Sequence, residues 1–184
     1  GCVFHLGSAR AVSERVASDI RSVVGASATM VGLFVDPEAM AVEALLEHVQ
    51  LDVLQFHGSE PPEFCERFAR PYLKAVAMTA EVDLPAVDDA YSSSVGLVLD
   101  SAHGGQFGGT GQPFNWAWVG QGLEHRVMLA GGLTADNVAD AVTRVQPAAV
   151  DVSSGVEKEK GIKDEDRMRA FIEAAQSVMT TGGL

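Results

Sequence analysis

Short apolar runs rich in β-branched residues alternate with longer amphipathic stretches along the whole chain, which restricts it to folds assembled from parallel β/α units. Strands are expected at Cys2 to His5, Thr29 to Val35, Val53 to Phe56, Leu73 to Met78, Val95 to Leu99, Val127 to Ala130 and Ala148 to Val152. Helices are expected at Ser13 to Val24, Pro37 to His48, Pro61 to Arg70, Leu84 to Tyr91, Phe114 to Val119, Thr134 to Thr143 and Asp164 to Met179. Ser13 with Glu14 behind it, and Thr134 ahead of Ala135-Asp136-Asn137, read as helix starts. The runs VGLFV, GLVL and VMLA are hydrophobic without alternation, as strands covered on both faces must be.

An open doubly wound sheet and a closed barrel both fit that pattern. Polar and glycine residues recur just after nearly every strand, at Asp36, His57-Gly58, Asp100-Ser101, Gly131-Gly132 and Ser153-Ser154-Gly155. A barrel brings all such strand ends into one ring, which favours an α/β TIM (β/α)8 barrel with about seven of its eight units in this chain. The 184 residues are expected to form one domain, 1–184, shorter than the about 200 to 250 residues of a complete barrel. The Gly-rich stretch from His103 to Gly111 is expected to be a long flexible loop able to close over a ligand.

The formal net charge of -12 argues against nucleic-acid binding, which needs clustered Lys and Arg. A small anion remains possible if backbone dipoles and one or two Arg residues hold it locally. No apolar run approaches the roughly 20 residues of a membrane span, and no signal peptide opens the chain, so a cytoplasmic location is expected. Cys2 and Cys65 form no CxxC pair and read as core thiols. No His/Cys/Asp cluster has metal-ligand spacing and no GxGxxG follows a strand, so neither a metal nor a dinucleotide cofactor is expected.

Gly131-Gly132 lets the backbone approach a bound group, and the helix expected at Thr134 would offer free N–H donors to an anion. A turn with no ligand has the same sequence. The next strand ends in Asp151-Val152-Ser153-Ser154-Gly155, and phosphate sites in such barrels often form from these two consecutive loops. Asp100, at a strand's carboxyl end before the Gly-rich loop, suits a general acid or base, although a loop-capping Asp occupies the same position. Arg10 could grip a carboxylate in bidentate fashion or make an ordinary surface ion pair. Gln55 and His57 end the strand VLQFHG, where His57 either lines a site or is simply hydrogen-bonded.

Taken in order, the segments FHLGSARAVS, VGLFVD, LQFHGSE, LVLDS, GGTGQPFNW, LAGGLTADNV and DVSSGVEKEKGIKD resemble the successive signatures of phosphoribosylanthranilate isomerases, from Val3 to about Phe171. The resemblance implies a cofactor-free isomerase of tryptophan biosynthesis. It converts N-(5'-phosphoribosyl)anthranilate to its 1-deoxyribulose isomer by an Amadori-type rearrangement. It also implies roles: Asp100 as the general acid on the furanose ring oxygen, Arg10 facing the anthranilate carboxylate, and Gln55 and His57 near the substrate. Gly131, Gly132, Ser154 and Gly155 correspond to the phosphate loops, and Asp151 to a carboxylate near the ribosyl or amino group.

Two departures stand out. The family's general base is a cysteine in a KICG-like motif at the end of its first strand, and this chain has no such motif. The expectation is that roughly 25 upstream residues, one β/α unit, carry it, and that the chain by itself has little activity. Leu6-Gly7-Ser8-Ala9 also stands where the family more often has Pro-Lys-Ser-Pro. Other phosphosugar isomerases or epimerases on the same barrel, and a non-catalytic phosphate-binding barrel fragment, are the alternatives. A monomer or homodimer is expected.

Overall fold

The structure is a computed structural model and describes residues 1–103, 106–107, 112–123 and 126–179. Contacts cluster into two compact units, Gly1–Ala75 with Ala90–Val95, and Val76–Asp89 with Gly96–Leu184.

The first unit runs β1 (Cys2–Val3), α1 (Glu14–Val24), β2 (Val31–Phe34), α2 (Ala39–His48), β3 (Val53–Phe56), α3 (Pro62–Glu66) and the start of β4 (Tyr72–Met78). Its strands pair in parallel in sequence order, with Cys2 opposite Gly32, Gly32 opposite Leu54, and Leu54 opposite Tyr72. Ser13 caps α1 as expected, its side chain accepting from the Val16 N–H at 3.3 Å, and Gly25 at φ 57° ends the helix. The core gathers Phe34, Leu54, Phe56, Cys65, Phe68 and Tyr72. Phe56 is its hub, with ring centroids 5.7 Å from Phe68 and 5.8 Å from Phe64. Beside that core Arg21 grips Asp52 through two bonds of 2.9 and 2.8 Å, and the Met30 N–H adds a third at 2.6 Å. The Met30 N–H, followed by Arg21, holds the Asp52 carboxyl below the usual carboxylate range.

The second unit holds α4 (Leu84–Ala90, all but its last residue), β5 (Gly96–His103), β6 (Gln106–Phe107), β7 (Val127–Leu129), α5 (Val138–Val145), β8 (Ala149–Val150), β9 (Glu157–Glu159), β10 (Ile162–Lys163) and α6 (Glu165–Met179). The fully buried Leu97, Val98 and Leu99 of β5 pair in parallel with Val127, Met128 and Leu129, and β7 pairs in turn with β8. α5 buries Val138, Ala141, Val142 and Val145, and packs on α6.

Several elements differ from the sequence expectation. α3 stops at Glu66, short of Arg70: Ala69 turns left-handed at φ 48°, and Pro71 disfavours a helical Arg70. Phe114 to Val119 contains a 3-10 turn at Trp116–Val119, begun by the Asn115 side chain accepting from the Ala117 N–H at 3.1 Å. α5 starts at Val138, later than Thr134. The stretch read as a flexible loop opens as strand, with His103 opposite Gln106 in an antiparallel pair, while 104, 105 and 108–111 lie outside the described residues.

Candidate active site

The second unit's site is built where the parallel ladder of β5, β7 and β8 ends. The parallel ladder ends at Leu99 opposite Leu129, and Asp100 is the next residue, only 9% exposed. Its Oδ1 accepts the Ser101 N–H at 2.7 Å. Gly131 and Gly132 then turn at φ 74° and 66°, a left-handed region that costs other residues about 1–2 kcal/mol. A β-carbon on Gly131 would lie 2.7 Å from Asp100 Oδ1 and closer still to the Ser101 backbone. One on Gly132 would collide with the Gln112–Pro113 peptide. Ser101 Oγ donates to the Gln112 carbonyl at 2.9 Å, so Gln112 is fastened to the residue after Asp100.

Asn137 organises the turn that follows. Its Oδ1 accepts from the Thr134 N–H at 2.9 Å and its Nδ2 donates to the Gly132 carbonyl at 3.0 Å. This corrects the expectation of free donors at Thr134, whose N–H is taken by Asn137. Gly155 packs so tightly on the Leu133 carbonyl that a β-carbon there would overlap it. The two glycine turns therefore touch. Ser154 opens a 3-10 turn, Ser154–Val156, at the end of β8, and Asp151 starts that loop with its N–H on the Leu129 carbonyl at 2.8 Å and its side chain exposed. Lys163 braces the loop, donating to the Ser153 carbonyl at 2.8 Å and to the buried Glu157 at 3.0 Å.

The first unit carries Arg10, Gln55 and His57. Arg10 sits in the loop after β1, its backbone N–H on Ser8 Oγ at 3.1 Å. Gln55 is buried on β3, and its Nε2 lies 3.1 Å from His57 Nδ1 just past the strand end. Sequence reasoning missed the polar cluster behind them. Glu60 and Lys74, both buried, pair at 2.9 Å, and Glu60 also accepts the Asp36 N–H at 2.7 Å. Its signal was present: a lone lysine in the strand YLKAVAM must find a partner when buried.

The order of these loops and the glycine turns answer closely to one family. A model of N-(5'-phosphoribosyl)anthranilate (PRA) isomerase matches residues 1–174. The chain belongs to that family. Among its relatives, the N-(5'-phosphoribosyl)anthranilate isomerase of Pseudomonas fluorescens (strain Pf0-1) is 47% identical, over 96% of this chain and 86% of the relative. That of Pseudomonas paraeruginosa is 49% identical, over 96% of this chain and 84% of the relative. The crystal structure of phosphoribosyl anthranilate isomerase from Thermotoga maritima matches with a TM-score of 0.85 at 34% identity, covering 96% of this chain and 87% of that one. A second isomerase structure, in complex with reduced 1-(o-carboxyphenylamino)-1-deoxyribulose 5-phosphate, matches with a TM-score of 0.81 at 33% identity, covering 96% and 86%. The fold class is accordingly that of these isomerases, an α/β TIM barrel with seven of eight β/α units represented. Among the described residues no helix is long and apolar enough to cross a membrane.

Proposed function

We infer that this phosphoribosylanthranilate isomerase divides its reaction among the residues assigned above, with Asp100 as the proton donor. The carrying observation is the continuity of Asp100, Gly131-Gly132, Leu133 and Gly155: a buried carboxyl borders two touching backbone turns. Backbone turns at strand ends bind a phosphate through N–H groups without a cationic side chain, which suits a chain of net charge -12. With the phosphate held by Gly131, Gly132, Ser154 and Gly155, Asp100 protonates the furanose ring oxygen as the C1–O bond breaks. The anthranilate nitrogen supplies the electron pair and a Schiff base results. Without the acid the leaving group would be an alkoxide, and matched general acid catalysis contributes about a hundred- to ten-thousand-fold. Arg10 takes the anthranilate carboxylate, Gln55 and His57 bind the substrate, and Asp151 lies by the ribosyl or amino group. No cofactor is needed, because the sugar's second carbon is oxidised as its first is reduced.

The second proton transfer, from the sugar's second carbon, needs a base. Burial raises the Cys2 thiol above its ordinary value and pushes Cys65 up to about 12, so neither is a thiolate at neutral pH. We take the protein to be cytoplasmic, a monomer or homodimer, acting on a small anionic substrate and not on nucleic acid.

Equilibrium binding of the reduced product analogue tests the phosphate assignment independently of turnover. Inorganic phosphate should displace it competitively, and Gly155→Val should abolish that competition. Displacement that survives Gly155→Val would place the phosphate elsewhere.

A further inference from the structure

The peptide units around His57 are held from behind by a buried ion pair. Glu60 accepts the Gly58 N–H through Oε2 at 2.9 Å and Oε1 at 3.2 Å, while Lys74 Nζ donates to the Gly58 carbonyl at 2.5 Å and to the Phe56 carbonyl at 3.5 Å. The residue after His57 is thus gripped at both ends of its backbone, and the residue before it at its carbonyl. Lys74 Nζ closes the clamp on Glu60 Oε2 at 2.9 Å, with side-chain exposures of 6% and 2%. The Lys74 ammonium also lies 5.7 Å from the centroid of the Tyr91 ring, and the Tyr91 hydroxyl donates to the Glu60 carbonyl at 2.9 Å. Asp36 adds a further tie, accepting the Ser59 N–H at 2.6 Å.

Such a pair is a poor device for stability alone, because replacing both partners by neutral isosteres is often neutral or favourable, whereas its geometry fixes one backbone arrangement. What it fixes is the backbone on either side of His57. Gln55 Nε2 is a donor, so in neutral His57 the facing Nδ1 accepts and Nε2 carries the proton. We propose that Lys74 and Glu60 are positioning residues for substrate binding: by clamping the peptides on either side of His57 they keep its Nε2–H aimed as a donor at an oxygen of the anionic substrate. The proposal rests on His57 being a substrate-binding residue.

The test is a cycle of binding constants for the reduced product analogue, using Lys74→Met/Glu60→Gln, which leaves no buried charge unpaired, together with His57→Ala and the triple variant. His57→Ala should weaken binding about tenfold, the neutralised pair about as much, and the triple variant no more than His57→Ala alone, since both changes remove one interaction. Nitrogen-15 spectra of the imidazole should show the Nε2–H tautomer in the parent and a mixture of tautomers in the folded double variant. Effects that multiply to about a hundredfold, or a double variant that binds like the parent while His57→Ala does not, would overturn the positioning role. If His57→Ala left the affinity unchanged, the assignment of His57 itself would fall, and the proposal with it.

Discussion

Gly131 turns with a positive φ directly against the Asp100 carboxyl, close enough that a side chain at 131 would displace Oδ1. The stretch of β5 that carries Asp100, the proposed acid, and the turn at Gly131, proposed to begin the anion site, are therefore packed as one piece. Gly131→Ala should move Asp100 as well as strain the turn. Since a misplacement of about 1 Å can cost about a hundredfold, kcat should fall by about that factor, and Tm should fall too, because the left-handed turn costs about 1–2 kcal/mol and the added β-carbon meets the Ser101 backbone. Steady-state kinetics alongside thermal unfolding check this; an unchanged kcat would mean the acid is not set by the turn.

The contact of Gly155 with the Leu133 carbonyl makes a second, separable prediction. Gly155→Ala must push the two loops apart, so affinity for inorganic phosphate should drop about tenfold or more, whereas affinity for anthranilate, which lacks a phosphate, should hold. Isothermal titration with each ligand distinguishes the two. Equal losses would point to a general collapse of the unit.

Acid stability should report the Arg21–Asp52 pair. The folded Asp52 carboxyl lies below its ordinary value, so folding favours its charged form. That stabilisation is complete above the unfolded value of about 3.9 and is lost as pH falls through the folded one. Asp52→Asn removes it: the variant should be less stable near neutrality and lose less stability on acidification. Urea unfolding at a series of pH values measures both slopes, and parallel slopes would contradict the assignment.

Lys163 offers a fourth check. It holds the Ser153 carbonyl and neutralises the buried Glu157, so Lys163→Met should leave a carboxylate without its cation and loosen the loop after β8. A cost of about 1–3 kcal/mol is expected, with the analogue's affinity falling and kcat holding. Chemical unfolding and analogue titration read the two effects.

The positions of the strands and their parallel pairing were legible in the sequence because continuous apolar runs such as GLVL and VMLA have only one good use, burial between two layers. The limits of the elements were less so. α3 ends early through the left-handed Ala69 ahead of Pro71, and α5 starts late because Asn137 spends both ends of its amide on the turn before it. The hairpin of β9 and β10, which turns at Gly161 and brings Lys163 back to Ser153, leaves almost no periodic trace in two- and three-residue strands. Asp100 and the glycines stood out because an acid and glycines just past parallel strands suit such chemistry, and the structure adds that Gly131 packs against Asp100. Glu60 and Lys74 were not, since a charge in a strand announces a partner without saying which one.

In the proposed reaction, ring opening depends on Asp100 as the acid. Asp100→Asn keeps the shape and the acceptor oxygen but cannot deliver a proton, so kcat should fall at least a hundredfold while the dissociation constant of the reduced product analogue stays within about threefold. A variant that binds the analogue normally and still turns over within tenfold of the parent would show that the proton comes from elsewhere.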